Sequence, residues 1–232
     1  MQRALIVGGS SGLGSELASA LLASGSYEVH ATGRKSLYVT KQTLHASRFH
    51  YHQLDIGGKN FVELSDVLDE LIYHLPHINL FVYAAGFDQR GTMRQLYDSD
   101  IDDMIAVGLA APAKLLQRIL EKQEWISGFI AITSTSQWTP RKHEPVYAAV
   151  KAGLGMLAQS VALDPAVRKT LIAAPAGMAT QFWRKSPHAT KGMLDPRWVA
   201  DNILTIWKKD FRYCFARILR EPPRVEIVET QV

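Results

Sequence analysis

Tyr147 and Lys151 are the residues in this chain whose types and spacing most directly suggest chemistry. They stand four apart in Tyr147-Ala-Ala-Val-Lys151. On a helix that spacing puts both side chains on one face, one turn apart. An ammonium group so placed favours phenolate over phenol, so the tyrosine pKa is expected to fall from about 10 toward neutrality. A tyrosine tuned in this way can exchange a proton at physiological pH, as carbonyl–alcohol interconversion requires. The same pair also arises in ordinary helices with no chemical role, so its meaning depends on the elements around it.

The first of those elements is a short apolar run over residues 3–7 that stops at Gly8-Gly9-Ser10-Ser11-Gly12-Leu13-Gly14, followed by an amphipathic pattern through Leu17, Ala18, Leu21 and Leu22. Strand, glycine loop and helix together can cradle a pyrophosphate. Gly8 serves the sharp turn, Gly12 the close approach of backbone to phosphate, and Gly14 the packing of helix on strand. The helix N-terminus adds free amides and a partial positive charge.

A second strand over residues 27–32 ends in Gly33-Arg34-Lys35 with no carboxylate at its tip. An acidic residue there would hydrogen-bond a ribose 2′-hydroxyl, whereas arginine accommodates a 2′-phosphate. Arg34 therefore favours NADP over NAD, the alternative being a surface arginine in a loop. A third strand over 49–54 leads to Asp55-Ile56, where Asp55 is either an acceptor for the adenine amino group or a turn former. His50 and His52 share a face of this strand. No third ligand stands near them in sequence, so a metal site is not expected.

A fourth strand over 79–83 precedes Ala84-Ala85-Gly86, small enough for a cofactor ring to lie against the backbone. A fifth over 129–132 delivers Thr133-Ser134-Thr135-Ser136 at its C-terminal end, where ligands bind in open parallel sheets. A sixth over 169–174 ends at Pro175-Ala176-Gly177-Met178-Ala179-Thr180. Helical patterns fill the gaps, over 58–75, over 101–122 with a mild break at Pro112, and from the Tyr147/Lys151 pair to Leu163. Residues 181–194 have no clean period and read as a mobile apolar flap. Another helix starts at Asp195-Pro196, and a last short strand spans 224–228. The alternation predicts an α/β fold, a doubly wound Rossmann-like parallel sheet of about seven strands flanked by helices, in a single domain over 1–232.

Composition agrees with a globular protein. Of the 232 residues 47% are hydrophobic and 21% charged, a balance unlike that of disordered chains. No apolar run approaches the roughly 20 residues of a membrane span, and the start of the chain does not read as a signal peptide. A lone cysteine, Cys214, excludes an internal disulfide framework. A cytoplasmic setting without membrane association is expected. The formal charge of +4 suits an anionic cofactor. Lys208, Lys209, Arg212, Arg217, Arg220 and Arg224 form the one dense basic stretch, read as a solvated helix and loop rather than a nucleic-acid-binding face.

Taken together, the motifs resemble the short-chain dehydrogenase/reductase family over nearly the whole chain. Val7 to Gly14 is similar to the family's glycine motif, with Val7 where threonine is usual. Leu54-Asp55-Ile56 resembles the adenine-contacting segment. Ser134 precedes Tyr147 by thirteen residues, the family spacing, and 175–180 resembles the segment that holds the nicotinamide carboxamide and pyrophosphate. The resemblance implies Ser134, Tyr147 and Lys151 as catalytic residues. Cofactor contacts would come from Gly8, Ser10, Ser11, Gly12, Leu13, Gly14, Arg34, Asp55, Ile56, Ala84, Ala85, Gly86, Pro175, Gly177, Met178 and Thr180, together with Tyr147 and Lys151. It implies carbonyl reduction with NADP(H) and, by family analogy, a homodimer or homotetramer. Trp138, Phe182 and Trp183 suggest an apolar substrate pocket, although such aromatics can equally pack on the core. Two departures stand out. The family's Asn-Asn-Ala-Gly reads Tyr83-Ala84-Ala85-Gly86, and its helical asparagine, which holds a relay water beside the lysine, is replaced by Gly108. Gly108 has no side chain to hold that water, though the space it leaves could admit another, so slower turnover, a rerouted relay and lost catalysis all stay open.

Overall fold

The computed structural model describes residues 1–35, 47–88, 90–185 and 190–232. Of the expected flap, residues 186–189 lie outside the described residues, His188 among them. The chain runs β1 (Gln2–Val7), α1 (Gly12–Ala23), β2 (Tyr27–Gly33), β3 (Phe49–Gln53), α2 (Phe61–His74), β4 (Leu80–Tyr83) and α3 (Asp98–Ile105). A π-helical turn, Ala106–Ala110, then leads into α4 (Ala111–Gln123), β5 (Gly128–Ile132), α5 (Pro145–Val161), β6 (Thr170–Pro175), α6 (Pro196–Trp207), β7 (Tyr213–Arg220) and β8 (Pro223–Gln231).

The strands form one sheet in the order β3-β2-β1-β4-β5-β6-β7-β8. All pairings are parallel except the last, in which β8 runs antiparallel to β7. Alternation along the strands builds two cores. Leu5, Val7, Phe81, Tyr83 and Phe129 face α2, α4 and α5. Ala4, Ile6, Val82 and Ile130 face α1 and α6. Because β1 lies between β2 and β4, the strand order reverses direction there. Such a switch point opens a crevice at the C-terminal ends of the strands.

The fold class is the one expected, with one strand more. The basic stretch expected as helix and loop is instead the end of α6 followed by the β7/β8 hairpin. Arginines interleaved with apolar residues in Tyr213–Arg220 hide the strand alternation, and the final strand extends on both sides of 224–228. Three of the hairpin's arginines are paired or stacked. Arg220 pairs with Glu221, Arg224 pairs with Glu226, and Arg217 lies over the Trp138 ring. The long helix expected over 101–122 is interrupted by the π-helical turn at 106–110, which runs straight into α4 with Pro112 in its first turn.

Candidate active site

A cleft of about 1680 Å³ runs along the C-terminal ends of the strands. One end is built by the loop after β1. Gly8 has φ +87°, and a Cβ there would come within 2.7 Å of Ala85 backbone atoms. The two loops of the switch point, after β1 and after β4, are therefore in direct backbone contact. Ser11 precedes α1 in extended conformation and makes no side-chain cap bond. The first-turn amides of α1 are thus left for an outside acceptor. Thr180 lies across from this turn, since a Cβ at Gly12 would touch its side chain at 3.4 Å. Ser10, Leu13, Gly14, Ala84, Gly86, Pro175, Gly177 and Met178 complete the walls.

At the tip of β2, Arg34 and Lys35 line the cleft. Their backbone carbonyls accept hydrogen bonds from Gln53 Nε2 at 3.2 Å and Tyr51 Oη at 2.6 Å, so β3 holds the tip in place. Further along, Leu54, Ile56 and Gly57 face the cleft. Asp55 is exposed, and its Oδ1 accepts from the Gly57 N–H at 3.3 Å, forming a side-chain-closed turn. A residue that sequence reasoning missed, Asp103 on α3, lines the same wall and accepts from the Gly58 N–H at 2.5 Å. Sixty-nine residues separate Asp103 from Arg34, and no local pattern joins them.

The other end of the cleft brings Ser134, Tyr147 and Lys151 together. Pro145 starts α5, so Tyr147 stands in its first turn and Lys151 one turn later, in the buried floor. Lys151 Nζ lies 5.7 Å from the centre of the Tyr147 ring and donates to the Ile132 carbonyl at 2.9 Å. Of the four hydroxyls at 133–136, Ser134 is the one hydrogen-bonded to Tyr147. Ser134 Oγ also accepts from the Ser136 N–H at 3.2 Å, which fixes it at the end of β5.

The electrostatics correct one expectation. The Tyr147 pKa does not fall toward neutrality but is pushed up to about 12, chiefly by burial. The Ser134 hydrogen bond opposes this, Glu144 and Asp88 add to it, and Arg141 opposes it. The same burial pushes Lys151 down to about 8. Helical spacing conveys the proximity of the two groups but not the desolvation that both charged forms suffer. The ammonium also sits by the ring and the Ile132 carbonyl rather than on the phenol oxygen.

Gly108 is packed tightly against α5. The space beside it is filled, because a Cβ there would lie 2.5 Å from Val150 Cγ2 and 2.7 Å from Val150 Cβ. Val150 fills the space into which a side chain at this position would project.

The expected pocket aromatics line the same cleft, and Phe182 stacks edge-on against the tyrosine. The Phe182 ring lies 5.9 Å from Tyr147 and 5.0 Å from Trp183, whose Nε1 donates to the Met178 carbonyl at 2.9 Å. Trp138 lines the opposite wall, backed by Phe215 and by Arg217, whose guanidinium is 4.3 Å from the ring centre. Sequence reasoning also missed an ion network beside the pocket, in which Arg90 contacts Asp88 at 3.3 Å and Glu144 at 2.8 Å. Only the position of Glu144 next to Pro145, at the start of α5, gave any hint of it.

Comparison with known proteins agrees with this geometry. The family model for short chain dehydrogenase matches residues 2–191. The chain is 26% identical over 207 residues to the uncharacterized oxidoreductase SH0585 of Staphylococcus haemolyticus (strain JCSC1435), covering 87% of this chain and 88% of that protein. It is 28% identical over 159 residues to the uncharacterized oxidoreductase DltE of Bacillus subtilis (strain 168), covering 65% of this chain but only 60% of that protein's length. Among solved structures, an alcohol dehydrogenase from Thermococcus sibiricus complexed with 5-hydroxy-NADP superposes with a TM-score of 0.80 at 21% identity, covering 97% of this chain and 99% of that one. A short-chain dehydrogenase from Sphingobium yanoikuyae in complex with NADPH gives 0.78 at 17%, covering 94% and 87%. The glycine loop at the switch point and the Ser134–Tyr147–Lys151 constellation belong to a chain that is a member of the short-chain dehydrogenase family, and so an oxidoreductase by family.

Proposed function

We propose that this protein interconverts a carbonyl and an alcohol using NADP(H), with Tyr147 as the acid/base. The observation that carries the reading is that a phosphate-accepting loop and a Ser–Tyr–Lys group occupy the two ends of one cleft. The cradle fits a dinucleotide. Free amides at the start of α1 suit the pyrophosphate, the close approach of Gly8 to Ala85 leaves a flat backbone floor, and Arg34 with Lys35 suits a 2′-phosphate. Asp55 would accept from the adenine amino group through the oxygen not engaged with Gly57. The named NADP(H) complexes of structural relatives support the same cofactor.

A bound reduced nicotinamide supplies the hydride. The side chains do the rest. Tyr147 donates its proton to the carbonyl oxygen, and a phenol with a pKa of about 12 is in the donor state throughout the neutral range. Ser134 orients that oxygen and stabilises the charge developing on it. Lys151 holds the nicotinamide ribose and supplies positive potential beneath the phenol. Trp138, Phe182 and Trp183 exclude water and select an apolar or aromatic small molecule. The chain acts as one catalytic unit, in which Phe182, Trp183 and Met193 line the substrate space, and assembles as a homodimer or homotetramer.

The test is NADPH consumption with a panel of ketones, aldehydes and quinones. Tyr147→Phe is expected to abolish turnover while leaving NADPH affinity within about threefold. Full activity in that variant would sink the mechanism. A second reading, a dinucleotide-binding sensor with little turnover, is favoured by Gly108 in place of the family's relay asparagine and by Val150 packed against it. Tight NADPH binding with no turnover across the panel would select it.

A further inference from the structure

Away from the cleft, the outermost strand pair carries a cluster that the proposed reaction does not use. Period-two alternation puts Glu28 and His30 of β2 on one face with His50 and His52 of β3. Parallel pairing places His30 directly beside His50, and Thr32 beside His52. The His30 and His50 rings are stacked at 4.7 Å and 17°, close to the strand spacing of about 4.8 Å.

Two imidazoles converge on one carboxylate oxygen. His30 Nε2 is 3.2 Å and His50 Nε2 is 3.1 Å from Glu28 Oε1, and the three donor atoms lie within 4.8 Å of one another. In a tetrahedral zinc site with bonds of about 2.0–2.1 Å, neighbouring donors stand about 3.3–3.4 Å apart. Two edges of the triangle already have nearly that length. The remaining contacts fix the donors. His30 Nδ1 is 3.0 Å from His52 Nε2, the outer hydrogen bond that orients a ligating imidazole. Arg3 Nε holds the other carboxylate oxygen, Glu28 Oε2, at 3.2 Å and leaves Oε1 facing the rings. His30 is buried, whereas the His50 side chain is 45% exposed, which leaves one open side for entry and a water ligand.

We propose that Glu28, His30 and His50 form a zinc-type divalent-metal site, with His52 as the residue that orients His30. Two imidazoles and one carboxylate suit Zn²⁺ and its late first-row neighbours, whereas Mg²⁺ and Ca²⁺ seek oxygen ligands. Sequence reasoning passed over the site because Glu28 and His30 stand some twenty residues before His50 and meet it only through strand register.

The test uses the full chain stripped with a chelator, titrated with Zn²⁺ alone against a chromophoric competitor, and separately with Co²⁺. One equivalent of Zn²⁺ is expected to bind with Kd in the micromolar range or tighter. Co²⁺ should give visible tetrahedral bands without thiolate charge transfer. His50→Ala at the exposed histidine and the isosteric Glu28→Gln should each weaken Zn²⁺ at least about tenfold, and His52→Gln about ten- to a hundredfold. Zn²⁺ should raise the Tm of the wild type and not that of His50→Ala, and Mg²⁺ should do neither. Unchanged Zn²⁺ affinity in both His50→Ala and Glu28→Gln, or no saturable binding by the wild type, overturns the proposal and leaves a histidine–carboxylate cluster that binds only protons.

Discussion

The Tyr83 hydroxyl donates to the Val107 carbonyl, linking the end of β4 to the π-helical turn that carries Gly108. Tyr83 is fully buried, and burial drives its phenol pKa upward, so it serves as a neutral donor. The two departures from the family pattern, Tyr83 and Gly108, thus meet at one place. A widened helical turn disturbs the usual carbonyl pairing, and the tyrosine satisfies the carbonyl next to the glycine.

Tyr83→Phe keeps the ring packing and removes the donor. The buried Val107 carbonyl then loses a partner, at a cost of about 1–3 kcal/mol. Urea denaturation of the variant is expected to show a lower midpoint with an unchanged slope.

Restoring an asparagine at Gly108 is expected to fail on its own. The new Cβ would lie 2.5 Å from Val150 Cγ2, and overpacking of this kind costs about 1–3 kcal/mol. Gly108→Asn combined with Val150→Ala should recover most of that loss. A thermal melt of the single and double variants decides the point.

Lys151 makes stability depend on pH. Its folded pKa, about 8, lies below the ordinary 10.5. Between those values the unfolded chain binds the proton that the folded chain has released, so stability rises with pH across this window. Relative to Lys151→Met, the cofactor-free wild type is expected to gain about 2 kcal/mol between pH 7 and pH 10. Parallel urea titrations of both proteins at the two pH values measure it, and a flat difference would contradict the assignment.

Arg34→Ala should weaken NADPH binding by about ten- to a hundredfold, the range of a lost charge-assisted phosphate contact of about 1.5–3 kcal/mol. NADH affinity should change little, because NADH lacks the 2′-phosphate. Fluorescence titration with each cofactor tests both statements.

What could be read from the sequence was local. The glycine loop, the four-residue step from Tyr147 to Lys151 and the thirteen-residue step from Ser134 are short-range spacings, and strand and helix geometry turns them directly into neighbours. The missed features depend on contacts between distant segments. Val150 filling the space at Gly108, Asp103 on the wall beside Gly57, and Arg90 bridging Asp88 and Glu144 each join segments that no periodicity connects. The direction of the Tyr147 shift was misjudged for a related reason. Proximity of charge follows from helical pitch, whereas desolvation is set by everything packed around the helix. In β7, Arg217 interrupts the apolar alternation because it stacks on Trp138 rather than facing water.

That stack gives the C-terminal hairpin a task of its own. Trp138 rests on Arg217 and Phe215 of β7, in the part of the chain beyond residue 191, where the family match ends. Ser134, Tyr147 and Lys151, the residues proposed to handle the proton, lie before that boundary. The hairpin therefore buttresses Trp138 from outside the matched span, while Trp138, Phe182 and Trp183 themselves lie within it. Under the proposed reaction, changes to Phe215 or Arg217 are expected to shift the Trp138 wall without touching Ser134, Tyr147 or Lys151.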